Sequence, residues 1–207
     1  MAAGQSKEML LADMTPALEA RALVVGYDHP VAGPFDFTLQ IGHRLGVFGP
    51  NGIGKSTLLR AILGSASVHS GSLIVHANPI ASQPQTLVEL RHMPWTPREQ
   101  LQFLEARAEG VPGSLADIMD TRVDQLSGGQ RQLLSVWSVL SGTARLVLLD
   151  EPTSYLDPQA VETLGTILQT LAPDKAIVTV SHDRGFLEKT CTELIEVKRR
   201  PAIGAEQ

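Results

Sequence analysis

Cysteine is nearly absent from this 207-residue chain: Cys191 stands alone. That rules out an internal disulfide and fits a reducing compartment such as the cytosol. The plain reading of Cys191 is a small apolar packing residue. Long hydrophobic runs are missing as well. No uninterrupted apolar stretch approaches the roughly 20 residues needed to cross a bilayer. The opening residues, MAAGQSKEMLLADM, lack the basic start and continuous apolar stretch of a signal peptide. If the protein works at a membrane, another polypeptide must provide the passage. A basic excess is also lacking, since the net charge is -5, so no DNA or RNA partner is expected. The short cluster Lys198 to Arg200 reads as part of a solvated tail.

What is present is ordinary globular material. A composition 43% hydrophobic and 19% charged argues against wholesale disorder, and the length suits one sizeable domain, with or without a small subdomain. The expected layout is an extension over 1–19, a domain over 20–198 and a tail over 199–207. Within the domain, Phe35, Phe37, Leu39 and Ile41 alternate with polar residues, as in a half-buried strand, so 20–41 reads as an antiparallel β unit. Ser72 to His76 is a further candidate strand. Thr96-Pro97-Arg98-Glu99 carries the signals of a helix start, and Leu101, Leu104 and Ala108 would line one face of that helix. Prolines 94, 97 and 112 interrupt longer patterns, so about 86–125 reads as a compact helical insert. Short all-apolar strands, Leu45 to Phe48, RLVLL and AIVTV, then alternate with helices. The expected fold class is α/β, with a mainly parallel sheet covered on both faces.

The strand ending at Phe48 runs into GPNGIGKST: Gly49, Pro50, Asn51, Gly52, Ile53, Gly54, Lys55, Ser56 and Thr57. This fits the phosphate-loop pattern GxxxxGK followed by Ser or Thr. Glycines let backbone N–H groups converge on phosphate, and the helix that follows adds its partial positive end. Lys55 would neutralise the β- and γ-phosphates, and Ser56 is placed for Mg2+. RLVLLDEP sets Asp150 and Glu151 at the C-terminal end of a buried strand, the edge where open α/β sheets bind ligands. Asp150 could hold Mg2+, and Glu151 could orient and deprotonate an attacking water. His182 follows AIVTV in the same way. LSGGQ, Leu126 to Gln130, raises a separate question: two glycines behind a serine, at the foot of a helix, form a second candidate anion site.

With GPNGIGKST, IASQPQ, LSGGQ, LVLLDEP, SYLD and VSHD in this order, residues 20 to 198 resemble the ATP-binding cassette family. The resemblance implies a P-loop NTPase core that uses ATP and Mg2+. Tyr27 then resembles the aromatic that stacks on adenine, and Gln85 the glutamine that meets Mg2+ and the attacking water. Glu151 resembles the general base, His182 the γ-phosphate contact, and Asp157 the aspartate of a loop that communicates between two sites. Ser127, Gly128, Gly129 and Gln130 belong to a signature that closes over ATP held by a second cassette. The implied working unit is a head-to-tail dimer, a homodimer by preference, peripheral on the cytoplasmic face of a membrane. It would drive an integral membrane permease, joined by a substrate-binding protein in an importer.

Some positions depart from the family pattern. Leu133 and Ser138 stand where arginines are expected, and Ile53 replaces a smaller residue. These bear on turnover and on packing near the signature helix. VSHDRGFLEKTC resembles the translation-factor branch of the family, which gives an alternative: a soluble cassette ATPase acting on a ribosome or another macromolecule. A regulator with little turnover is a third reading. The compact insert is weakly similar to that of metal-ion importers.

Overall fold

The computed structural model describes residues 15–83, 94–171 and 173–197, organised around two sheets. β1 (Leu18–Gly26) and β2 (Pro30–Leu39) form the expected antiparallel unit. β4 (Ser67–Val75) adds to the other side of β1, again antiparallel. β1 starts inside the segment read as an extension, because Leu18 is fully buried and pairs with Leu39. β4 starts at Ser67, ahead of the expected Ser72. Its first half is exposed and polar, so pairing with β1 sets this strand rather than its own apolar pattern.

The second sheet is parallel throughout. Its order is β5 (Ile80–Gln83), β6 (Leu146–Asp150), β7 (Ala176–Ser181), β3 (Arg44–Phe48) and β8 (Glu193–Glu196). Strand residues alternate between its faces. Leu146 and Leu148 of β6 enter one hydrophobic layer and Val147 and Leu149 the other, all with 0% exposure. The first layer contains the antiparallel sheet and α1 (Lys55–Ile62), which contributes Leu58, Leu59, Ala61 and Ile62. The second contains α4 (Gly128–Ser141), α5 (Pro158–Leu171) and α6 (Arg184–Thr190). The expected α/β class with a parallel core and an antiparallel β part is therefore what the chain forms.

The insert holds α2 (Pro97–Phe103) and α3 (Gly113–Ala116). α2 opens with the expected capping box: Glu99 N donates to Thr96 Oγ1 at 3.3 Å, and Thr96 N donates to Glu99 Oε2 at 2.8 Å. It stops at Phe103, and Glu105 turns the chain with φ +52, so the expected continuation to Ala108 does not form. Trp137 Nε1 donates to Arg107 O at 2.7 Å and ties the insert to α4. Among the described residues no helix is long and apolar enough to cross a membrane.

Candidate active site

The C-terminal edge of the parallel sheet gathers the phosphate loop and the acidic pair. Gly49, Gly52 and Gly54 adopt φ +155, +76 and +102, so the turn between β3 and α1 uses conformations that glycine alone adopts freely. At Gly54 an added Cβ would lie 2.7 Å from Ala32 Cβ, so the loop also rests too closely on β2 for a side chain. Gly54 occupies the N-cap of α1 without a side-chain acceptor, which leaves first-turn N–H groups available to an anion. Lys55 is 5% exposed. Its Nζ donates to Gly49 O at 2.8 Å and Pro50 O at 3.2 Å, and lies 3.4 Å from Glu151 Oε1.

The carboxylates differ in their neighbours. Ser56 Oγ donates to Asp150 Oδ1 at 3.0 Å, joining two of the three expected metal-binding groups across α1 and β6. Burial is the main influence on Asp150 and raises its carboxyl above the ordinary range. The Ser56 hydroxyl pulls it down, Glu151 pushes it up, and Arg60 and Lys55 pull it down. A half-buried carboxylate beside a hydroxyl suits Mg2+, which commonly takes one or two carboxylates and completes its shell with water and phosphate. Glu151 Oε2 lies 2.8 Å from His182 Nδ1 and accepts from Ser181 Oγ and His182 N, both at 3.3 Å. The structure therefore brings Lys55, Ser56, Asp150, Glu151 and His182 to one place.

Glu151 is also held in the left-handed region, with φ +47. For a residue with a side chain this costs about 1 kcal/mol or more. Its backbone is held from three sides. Glu151 N donates to Val180 O at 2.8 Å, Ser154 N donates to Glu151 O at 3.1 Å, and Gln132 Nε2 donates to Pro152 O at 3.0 Å and Glu151 O at 3.4 Å. Gln132 was not singled out from sequence. Its partners are 19 and 20 residues away, so no local pattern could reveal the contact.

LSGGQ starts α4. Ser127 is its N-cap: its Oγ accepts from Gln130 N at 3.2 Å, while Ser127 N donates to Gln130 Oε1 at 2.9 Å. Ser127 and Gly128 are exposed. Gly129 packs against the 151–156 loop, where an added Cβ would come within 3.2 Å of Tyr155 O. Among the described residues no hydrogen bond or ion pair connects this motif with the phosphate loop. Asp157 Oδ1 accepts from Ala160 N at 2.8 Å and caps α5. Tyr27, 41% exposed, accepts at its phenol oxygen from Arg60 Nη1 at 2.6 Å. Gln85 lies outside the described residues. Leu133 and Ser138 both face the core, and Ser138 Oγ donates to Ser135 O at 2.8 Å, so the expected arginine positions are filled by packing. Burial pushes the Cys191 thiol up to about 11, keeping it protonated and unreactive near neutral pH.

The comparisons agree with this geometry. At 34% identity, the chain is similar to the energy-dependent translational throttle protein of Mycobacterium tuberculosis, over 86% of this chain and 34% of that protein. It is 36% identical to the zinc import ATP-binding protein of Paracoccus denitrificans, over 82% of this chain and 71% of that one. It spans less than two thirds of several curated relatives that it matches. Among solved structures, a putative metal-chelate type ABC transporter in an inward-facing conformation aligns with a TM-score of 0.73 and 25% identity. That alignment covers 89% of this chain and 80% of the other. Residues 33–154 match the family described as ABC transporter, and the chain belongs to it.

Proposed function

We propose that this chain is an Mg2+-dependent ATPase subunit whose hydrolytic sites are completed between two copies. The observation that carries the reading is the assembly of Lys55, Ser56, Asp150, Glu151 and His182 at the uncapped N-terminus of α1, while Ser127 and Gly128 are presented outward. Lys55 Nζ lies 3.4 Å from Glu151 Oε1 and is paired with it. A triphosphate in the loop competes for Lys55, which frees that oxygen to accept a proton from water. The other oxygen stays fixed by His182 and Ser181, so the base keeps its orientation as its charge partner changes. Ser56 and Asp150 would hold Mg2+, which would supply charge stabilisation at the phosphates. Loop amides and Lys55 bind and orient the transferred group. Tyr27 stacks on the adenine, and Gln85 and Asp157 take the roles that the resemblance assigns them.

The transporter reading places this dimer on the cytoplasmic face of a membrane, coupled to a separate permease and, in an importer, to a substrate-binding protein. It is supported by the printed roles of the zinc import protein and the metal-chelate transporter. A second reading, action on a ribosome, is favoured by the match to the translational throttle protein. Purification in mild detergent separates them. Recovery of a multi-span membrane protein with the chain supports transport, whereas recovery with ribosomes alone overturns it. The ATPase assignment is tested by Glu151→Gln: equal hydrolysis by wild type and variant would remove Glu151 from the mechanism.

A further inference from the structure

Tyr27 is fastened at three atoms to three parts of the molecule. Its amide N donates to His29 O at 3.2 Å, which closes the turn after β1. Its carbonyl oxygen lies 3.0 Å from His69 Nε2 on β4. Its phenol oxygen accepts from Arg60 Nη1 on α1 at 2.6 Å. The first two contacts fix the backbone, while the third fixes the ring. Arg60 stands four residues after Ser56 on α1, so it shares a helix face with the group that pairs with Asp150. A tyrosine ring at a surface turn would ordinarily exchange between staggered rotamers. Here it is suspended from the helix that carries the phosphate loop, and 41% of the residue remains exposed for another planar group.

We propose that Arg60 is a positioning residue for the nucleobase: it holds the Tyr27 ring at a fixed angle to the phosphate loop and so sets base affinity without touching the phosphates. This rests on the reading of Tyr27 as the adenine-stacking residue. Its chemical consequence is selective. Loss of Arg60 leaves the loop amides, Lys55 and Ser56 in place, so a ligand without a base registers only the loss of a minor charge acting on Asp150. A ligand with a base meets a ring that must first be ordered, and the cost of ordering reduces affinity.

The test is calorimetric binding of ATP and of inorganic tripolyphosphate, each with Mg2+, to the full chain and to Arg60→Ala, Arg60→Lys, Tyr27→Phe, Tyr27→Ala and the Arg60→Ala/Tyr27→Phe double variant. Stacking of a base on an aromatic ring is worth about 1–3 kcal/mol, so wild type is expected to bind ATP at least about 5-fold more tightly than tripolyphosphate. Arg60→Ala and Tyr27→Phe should each weaken ATP about 5-fold while leaving tripolyphosphate within about 2-fold. The double variant should be no weaker than either single one, because both remove the same hydrogen bond. Arg60→Lys should recover part of the loss. Both side chains are exposed, so melting temperatures should stay at the wild-type value. Equal weakening of ATP and tripolyphosphate by Arg60→Ala would place Arg60 on the phosphates and overturn the proposal, as would additive losses in the double variant. If Tyr27→Ala leaves ATP affinity unchanged, the stacking reading itself falls and the proposal falls with it.

Discussion

Two buried lysines lie at opposite edges of the same parallel sheet. Lys55 follows β3 at the C-terminal edge, and Lys175 precedes β7 at the N-terminal edge. They are 5% and 6% exposed, and both donate to backbone carbonyls. Lys175 Nζ reaches Ala144 O at 2.6 Å and Gly142 O at 2.7 Å. Lys55, however, also faces Glu151 and begins a helix whose N-cap supplies no acceptor. Burial and hydrogen bonding alone therefore do not make a site. The distinguishing features are an exchangeable charge partner and a set of N–H groups with an open direction. Lys175 clamps the turn that feeds β6, whereas Lys55, on the proposed reading, exchanges Glu151 for a phosphate.

The largest expected effect lies at the C-terminal edge. Glu151→Gln should lower ATP hydrolysis about a thousandfold while leaving ATP binding intact, since general-base catalysis is typically worth 10²–10⁴. Steady-state phosphate release together with nucleotide binding checks this. Lys55→Ala should reduce hydrolysis by about a hundredfold or more and weaken ATP binding as well. Lys175→Met sharpens the contrast. Hydrolysis per folded molecule should stay within about twofold, but two buried carbonyls lose their donor, so denaturant unfolding should show a loss of about 2 kcal/mol. A large hydrolytic defect in Lys175→Met with unchanged stability would erase the distinction between the two edges.

The smallest effect is on pH dependence. Burial is the main cause of a lowered Lys175 pKa; Arg107 pushes the same way and Asp174 opposes it. The folded value therefore lies below the unfolded value of about 10.4. Between the two, the unfolded chain binds more protons, so stability rises with pH as about pH 10.4 is approached from below. A neutral amine can still donate to both carbonyls, so this rise does not require loss of the clamp. Wild type should show the increment in unfolding experiments and Lys175→Met should not.

The sequence made the central parallel strands and the phosphate loop legible because these are local patterns: continuous apolar runs, glycine spacing, and a lysine at a helix start. It did not reveal β5 and β8. Both are four-residue strands, paired on one side only among the described residues and without a fully buried run to announce them. The early start of β4 was hidden for a related reason, since an exposed polar segment becomes strand only through β1. At the site, residue types predicted the meeting of Ser56 with Asp150. They could not predict that Gln132 would hold the Glu151–Pro152 carbonyls or that Arg60 would hold Tyr27. Those contacts depend on how α1 and α4 are set against distant loops. Leu133 and Ser138 looked like losses in a motif, and in the structure they are core positions.

The central claim is that each hydrolytic site uses the phosphate loop of one copy and the LSGGQ segment of another. Its most direct test mixes two defective chains, Lys55→Ala and Gly128→Asp. The second substitution introduces a carboxylate where phosphate is expected, and its Cβ meets Tyr155 Cβ at an ordinary 3.8 Å, so the fold should tolerate it. Each variant alone should be inactive at both sites of its dimer. A mixed dimer pairs the intact loop of one chain with the intact LSGGQ of the other, so hydrolysis should return on mixing, toward half the wild-type rate per mixed dimer. A mixture that stays as inactive as its components, with mixed dimers shown to form, would contradict the claim.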